Sequence, residues 1–438
     1  MPPRGKNGKN RPQKSASRSR SASGYTAPVT PPSAASLAAV PFAHPVGADP
    51  VTAHPHVDLP IALIAAALAV AVVAMAMILP ARTTPGEGRV AATMSWHGSL
   101  SWPQTISRVV AVVVLATGIA AGRIGADDEL ENLAPALVVG AGLPLLFLAA
   151  LILGPVWRWV DPWDAAARML VREDGEASPG HVWPAVGLAL PLVWFLSVYL
   201  LPLDPRSVGT ALALYTVLTL AGCVAFGRVR WLASGEPVGI LLSWVGLAPR
   251  RRLSGWNPPR GAEALLGVAV GGVLFGAVRR TDAWSGFAVL PQATLYATGG
   301  LLLTCVAVAA FLLLAAHADR APARGGGVAN AVVPVVAGVV VAVGLARNRL
   351  FNSVQLLPGL AGDPLGRGWD LLGDPTDGLH PDPLGAVGLL VLQLAVVAVV
   401  HLWGAVVVAR RTPGMARLPA ALALAGVAAA SVTAVSLH

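Results

Sequence analysis

The chain has 438 residues, of which 55% are hydrophobic and 12% charged, with a mean hydropathy of +0.66. Soluble domains carry about 25% charged residues, so this composition excludes a water-soluble globular protein and points to a polytopic membrane protein, an all-α transmembrane helical bundle. The net charge of +9 does not point to nucleic acid, because the basic residues flank apolar runs instead of forming a patch, which is the placement that membrane orientation demands.

Residues 1–58 are rich in Pro, Ser, Ala and Gly and carry Arg4, Lys6, Lys9, Arg11, Lys14, Arg18 and Arg20. With almost no large apolar side chains they cannot bury a core, and they read as a disordered basic tail ahead of a helical domain over 59–438. The nearest thing to a secretory h-region, Leu37 to Ala43, is broken by Pro41, which argues against a cleaved signal.

Ten apolar runs follow: Ile61 to Leu79, Val109 to Gly122, Leu133 to Leu153, Val186 to Leu201, Val208 to Phe226, Ala262 to Val278, Thr294 to Ala316, Val328 to Ala346, Leu384 to Ala409, and Leu418 to Leu437. A run of roughly 20 residues can cross a bilayer and one of about 10 to 14 cannot. The second run therefore borrows Ser101 to Arg108, and Val238 to Ala248 is expected to lie at the interface or re-enter. Pro135 and Pro144 break the third run, and Phe287 to Gln292 reads as a further re-entrant piece; such breaks need neighbouring helices or a water-lined cavity to satisfy the freed backbone. Trp157, Trp159 and Trp163, with Trp96, Trp102, Trp183, Trp231, Trp244, Trp256 and Trp284, sit near run ends and read as headgroup anchors. Asp161, Pro162, Trp163 and Asp164 read as the cap of a short interfacial helix. Cys223 and Cys305 fall inside apolar runs and read as small buried hydrophobes.

Connections after runs one, three, five, seven and nine hold seventeen of the Lys and Arg residues, against seven in the others. By the positive-inside rule the first set is cytoplasmic, in a plasma membrane, and both termini are extracytoplasmic. The seven basic residues of the tail oppose this, but Pro41 to Pro60 carries no Lys or Arg, and orientation is weighted to charges within roughly 15 to 20 residues of a span.

Several blocks carry a family likeness: HPHVDLP (His54 to Pro60), ENLAPALVVG (Glu131 to Gly140), VDPWDAAAR (Val160 to Arg168), LYTVLTLAG (Leu214 to Gly222) with RWLASGEP (Arg230 to Pro237), and GDPLGRGWDLLG (Gly362 to Gly373). Through them the chain resembles, from about His54 onward, actinobacterial integral membrane proteins labelled fenitrothion hydrolase. The resemblance implies hydrolysis of an organophosphate ester. Members of that family often carry a polar residue or histidine near the end of run eight, where this chain has Gly344 and Leu345.

Ester hydrolysis of that kind usually needs a water activated by metal ions on several His and carboxylate ligands. The sequence holds no HExxH, no HxHxD with a second HxxxD pair, and no GxSxG elbow. His54, His56 and Asp58 are the nearest to a ligand cluster, since alternate positions of an extended segment share a side and imidazole suits copper and other divalent ions. The loop with Asp363, Asp370, Asp374, Asp377, His380 and Asp382, and the turn with Asp127, Asp128, Glu129 and Glu131, share the extracytoplasmic side. Together they could capture a metal or small-molecule ligand at the mouth of a pathway; the plainer reading, which spacing alone favours because a metal site needs three or four convergent ligands, is ordinary loop or disordered tail. Asp363 to Asp370 has the Pro, Gly and Asp pattern of a tight turn. His401, with Gln393 two turns earlier, lies deep in run nine, where ionisable groups are costly and often functional; packing between helices is the alternative. Three readings remain open: a permease-like or ligand-handling protein, a membrane-bound phosphoester hydrolase, and a scaffold embedded in the lipid bilayer without a substrate. The threading is checked by a cysteine at Ser254 in a chain lacking Cys223 and Cys305. It should stay unlabelled by an impermeant thiol reagent in intact cells and become labelled on permeabilisation.

Overall fold

A computed structural model describes residues 61–80, 101–171, 180–249, 253, 256–318, 327–369, 371–373, 379–411 and 414–436. They all belong to one compact unit, Pro55–His438; the tail assigned to residues 1–58 lies outside them. Among the described residues the chain is helical throughout, and the one strand-like pairing is a bridge between His181 and Arg260.

Each predicted run falls on a helix or a broken pair of helices. Helix α1 (Ile61–Ile78) is followed by α2 (Trp102–Ile124), which includes the borrowed turn. The third run begins as α3 (Leu133–Pro135), passes through a π-helical stretch over Ala136–Gly142, and continues as α4 (Leu143–Leu153). Pro135 and Pro144 bracket that stretch, as expected where proline removes ladder donors and the helix widens to keep its remaining bonds. Two short helices, α5 (Trp157–Val160) and α6 (Pro162–Leu170), precede α7 (Trp183–Ser197) and α8 (Pro205–Phe226). A second short pair, α9 (Arg228–Ser234) and α10 (Pro237–Val245), leads to α11 (Ala262–Val278) and α12 (Asp282–Ala288), which meet at 86°. Then come α13 (Ala293–Ala318), α14 (Gly327–Leu345), α15 (Arg349–Gly362), α16 (Gly385–Arg411) and α17 (Leu418–Ser436). Among the described residues eight helical stretches are long and apolar enough to cross a membrane, nine with the α11 and α12 pair; α7 is apolar but shorter, at 15 residues.

The centre of the bundle is α14. Every residue from Gly327 to Val339 is buried, and the helix packs against α16, α4, α11 and α17. Its composition is almost entirely Val, Ala and Gly, which suits an interior where helices gain attraction by close approach and lipid gives no hydrophobic drive. A Cβ on Gly338 would lie 2.5 Å from Val400, one on Gly344 would lie 2.4 Å from Pro144, and one on Gly404 of α16 would lie 2.6 Å from the Ala331 carbonyl. The same device joins α11 to α13, where Gly267 and Gly271, one turn apart, meet the backbones of Ala309 and Cys305. In contrast α13 exposes Leu295, Leu302, Leu303, Val306, Leu313 and Leu314, the apolar outer face a lipid-facing helix needs. Arg417, ahead of α17, donates to the carbonyls of Ala76 (2.6 Å) and Leu79 (2.7 Å) at the end of α1, where free carbonyls and the helix dipole favour a cation.

The segment Val238 to Ala248, expected to lie at the interface or re-enter, carries α10, which is buried throughout and packs against α4, α9, α14, α5 and α7. Two other expectations need correction. The stretch after run eight, read as loop, contains α15, which lies along the π-helical stretch; a Cβ on Gly140 would fall 1.9 Å from Ser353 Oγ. Trp157, Trp163, Trp244 and Trp256 are buried within the protein and so are not lipid-facing anchors, while Trp102 and Trp183 are exposed as anchors should be.

Helices α2 and α8 touch backbone to backbone, with a Cβ on Gly209 placed 2.7 Å from the carbonyl carbon of Gly122. Gly209→Val should therefore cost about 1–3 kcal/mol, read as a lower midpoint of thermal unfolding in detergent. Gly299→Ala, whose Cβ meets nothing within 4 Å, should change it by less than about 0.5 kcal/mol.

Candidate functional site: a buried carboxylate and arginine cluster

The two short helix pairs fold over one end of the bundle and place three acids and three arginines together. The local sequence explains how. Gly154, at φ 99°, ends α4, and Gly227, at φ 86°, ends α8 and starts α9; both take positive φ at little cost. Asp161-Pro162 and Glu236-Pro237 then repeat one device, an acid at the N-cap with Pro at the first helical position. Asp161 Oδ1 accepts from the amides of Trp163 (3.0 Å) and Asp164 (2.9 Å). Glu236 Oε1 and Oε2 accept from Val238 (2.9 Å) and Gly239 (2.6 Å).

Asp164 is fully buried and is the hub. Its Oδ2 pairs with Arg108 of α2 and with Arg168 one turn along α6 (3.0 Å), and its Oδ1 pairs with Arg228 of α9. Arg108 also donates to the Arg158 carbonyl from Nε (3.0 Å) and Nη2 (2.7 Å). Both oxygens of this acid are thus met by guanidinium groups, the arrangement that lets a charge leave water.

Asp161 and Glu236 differ. Neither has a cation within ion-pair distance among the described residues. The Tyr215 hydroxyl of α8 donates to Glu236 Oε1, and Trp163 Nε1 donates to Thr216 Oγ1 at 3.2 Å. The rings of Trp157, Trp163 and Tyr215 pack in sequence, with centroids 5.7 and 5.1 Å apart. Burial raises the carboxyl of Asp161 well above the usual carboxylate range, with the neighbouring Asp164 adding to it. Burial likewise pushes Glu236 up to about 7, against the bonds from Tyr215, Gly239 and Val238 that hold it down. A dry carboxylate without a counter-ion favours its neutral form.

The residues singled out in the sequence lie elsewhere. His401 is fully buried in α16, and its Nδ1 donates to the Val397 carbonyl at 2.7 Å, one turn back in the same helix. Gln393 donates to the Ala342 carbonyl of α14 at 2.8 Å. Asp363 caps its turn as expected, accepting from the Gly368 and Trp369 amides, with Gly366 and Gly368 at positive φ. The His380 ring is exposed while its backbone is tied to Gln355 by bonds of 2.9 and 3.2 Å, and Asp382 accepts from Asn348. Asp127 is paired with Arg206 at 2.5 Å. His54, His56, Asp58, Asp370, Asp374 and Asp377 lie outside the described residues. Among the described residues no three His, Cys, Asp or Glu side chains are gathered as metal ligands. Cys223 and Cys305 are buried free thiols.

Sequence reasoning missed Arg108, Arg228, Tyr215 and Glu236 as one group. A signal was present: the blocks VDPWDAAAR, LYTVLTLAG and RWLASGEP supply most of it, and Trp231 of the last block is wedged between Gly222 and Gly235.

Removing the hub acid should be severe. Asp164→Asn leaves Arg108 and Arg228 buried without their charge partner and should cost about 3–5 kcal/mol. Arg168→Met, at a side chain 24% exposed, should cost at most about 1 kcal/mol; thermal unfolding of the purified protein in detergent separates the two. No protein-family model matches the chain, and neither a curated protein nor a solved structure matches it.

Proposed function

We propose that the chain is a multi-pass plasma-membrane protein of permease type that handles a small solute, with the carboxylate and arginine cluster as its working site. The observation that carries this is the pair Asp161 and Glu236: two fully buried acids with no ion-pair partner among the described residues, beside a third acid that holds the arginines. Asn caps a helix as well as Asp does, so capping alone does not call for a carboxyl group at position 161. Buried ionisable groups in membrane proteins often mark substrate and ion pathways. By the arginine count the cluster faces the cytoplasm, and His54, His56 and Asp58 with the Asp363 to Asp382 loop face outward, where they would capture a cation.

The test is flux into liposomes containing the purified full chain, with a panel of inorganic ions, organic acids, organic amines and a nitrophenyl phosphotriester. At least one solute class should enter faster than into protein-free vesicles, and Glu236→Gln should slow that entry at least tenfold. Equal rates with and without protein for every class would overturn the proposal. Release of nitrophenol by the wild type, lost in Asp161→Asn, would replace it with the hydrolase that the family likeness implies.

A further inference from the structure

Three polar atoms on the helices that carry or border the two acids are buried and have no hydrogen-bond partner in the protein: Asp161 Oδ2 at the start of α6, Thr219 Oγ1 on α8 and Trp157 Nε1 on α5. Thr219 lies one helical turn from Tyr215 and one from Cys223 on α8, and both of those side chains interact electrostatically with Asp161 and Glu236. Trp157 Nε1 lies against Gly239, where an added Cβ would be 2.5 Å from it and 2.4 Å from Glu236 Oε2. The three atoms are complementary in kind. Trp157 offers a donor, Asp161 Oδ2 an acceptor when ionised and a donor when protonated, and the Thr219 hydroxyl either. A buried polar atom without a partner is costly, and an unpartnered Oδ2 on a buried acid without an ion pair suits a neutral acid better than an anion.

We propose that Asp161 and Glu236 form a proton-binding site in which Asp161 carries the proton on Oδ2, the oxygen that the helix cap leaves unused, and Glu236 exchanges the second proton with water. This deepens the permease reading by naming the ion that would accompany the solute. The balance is simple: hydronium gives a proton to a carboxylate on loading and leaves water, water takes the proton back on release, and no bond between heavy atoms changes. Arg108 from α2, Arg168 from α6 and Arg228 from α9 pair with Asp164, Arg108 also acts on Asp161 and opposes its protonation, and Tyr215 donates to Glu236 from α8. Trp157 presents a donor, which disfavours a metal cation in the same place.

The readout is the carbonyl stretch of a protonated carboxylic acid, which lies clear of the amide band, in infrared spectra of the full chain in lipid between pH 5 and 9. At pH 8 the wild type should show this band and Asp161→Asn should lack it. Asn keeps the cap, so the variant should fold. A second component should disappear with a midpoint near 7 and be missing from Glu236→Gln. A wild type without the band at pH 8, or a band unchanged in Asp161→Asn, would overturn the site. If the bands behave as expected and no solute moves in liposomes, the permease reading fails alone; if solute moves and the bands are absent, the proton site fails alone.

Discussion

A carboxylate cut off from water has to be surrounded by donors and cations, and the fold at one end of this bundle follows from meeting that demand at Asp164. The helix that carries it, α6, has nine residues and is too short to be stable by itself. It is held because Arg108 reaches across from α2 and Arg228 from the first residue of α9. Well-packed apolar residues would stabilise such a junction as well or better. What the ions do is tie three elements together: α2 and α9 each bring a guanidinium group to one oxygen of the acid on α6. That placement in turn puts Asp161, one turn earlier, and Glu236, one short helix later, against α8.

The central helix imposes the second constraint. Because α14 is buried along nearly its whole length, its neighbours approach to backbone distance, and large side chains are displaced outward to lipid or down to the end cap. The residues at the end of run eight illustrate this. Gly344 is pressed on Pro144, the residue at the start of α4 that helps to widen the π-helical stretch. A larger side chain there would collide with that proline.

The runs were legible because a bilayer imposes length and apolarity on each span separately, and the Asp-Pro cap was legible because it is local. The parts that were misread depend on contacts far along the chain. Arg108 is 56 positions from Asp164, and Arg228 is 64, so no spacing in the sequence announces their meeting. Trp157, Trp163, Trp244 and Trp256 sit near run ends, where anchoring and burial share one pattern. They are buried because α5, α6, α9 and α10 fold back over the bundle, an outcome that local composition does not encode. Helix α15 was missed because Arg349, Asn352 and Pro358 interrupt its apolar pattern, and its place is set by the widened helix opposite.

His401 and the Asp161 and Glu236 pair are both buried ionisable sites, yet their couplings differ in kind. The imidazole's bond is to a carbonyl four residues back in its own helix, so it travels with α16 and that bond is indifferent to how α16 moves. The Glu236 carboxylate is bonded to Tyr215 across the junction of α10 and α8, and Asp161 joins them from the start of α6. Sliding α8 against α10 would break the tyrosine bond that holds the Glu236 carboxylate down, and its affinity for a proton would rise. By the reciprocity of linked equilibria, binding a proton at Glu236 would then favour that same displacement. A site whose hydrogen bonds cross between helices can therefore tie protonation to motion, and a site bonded within one helix cannot do so through that bond.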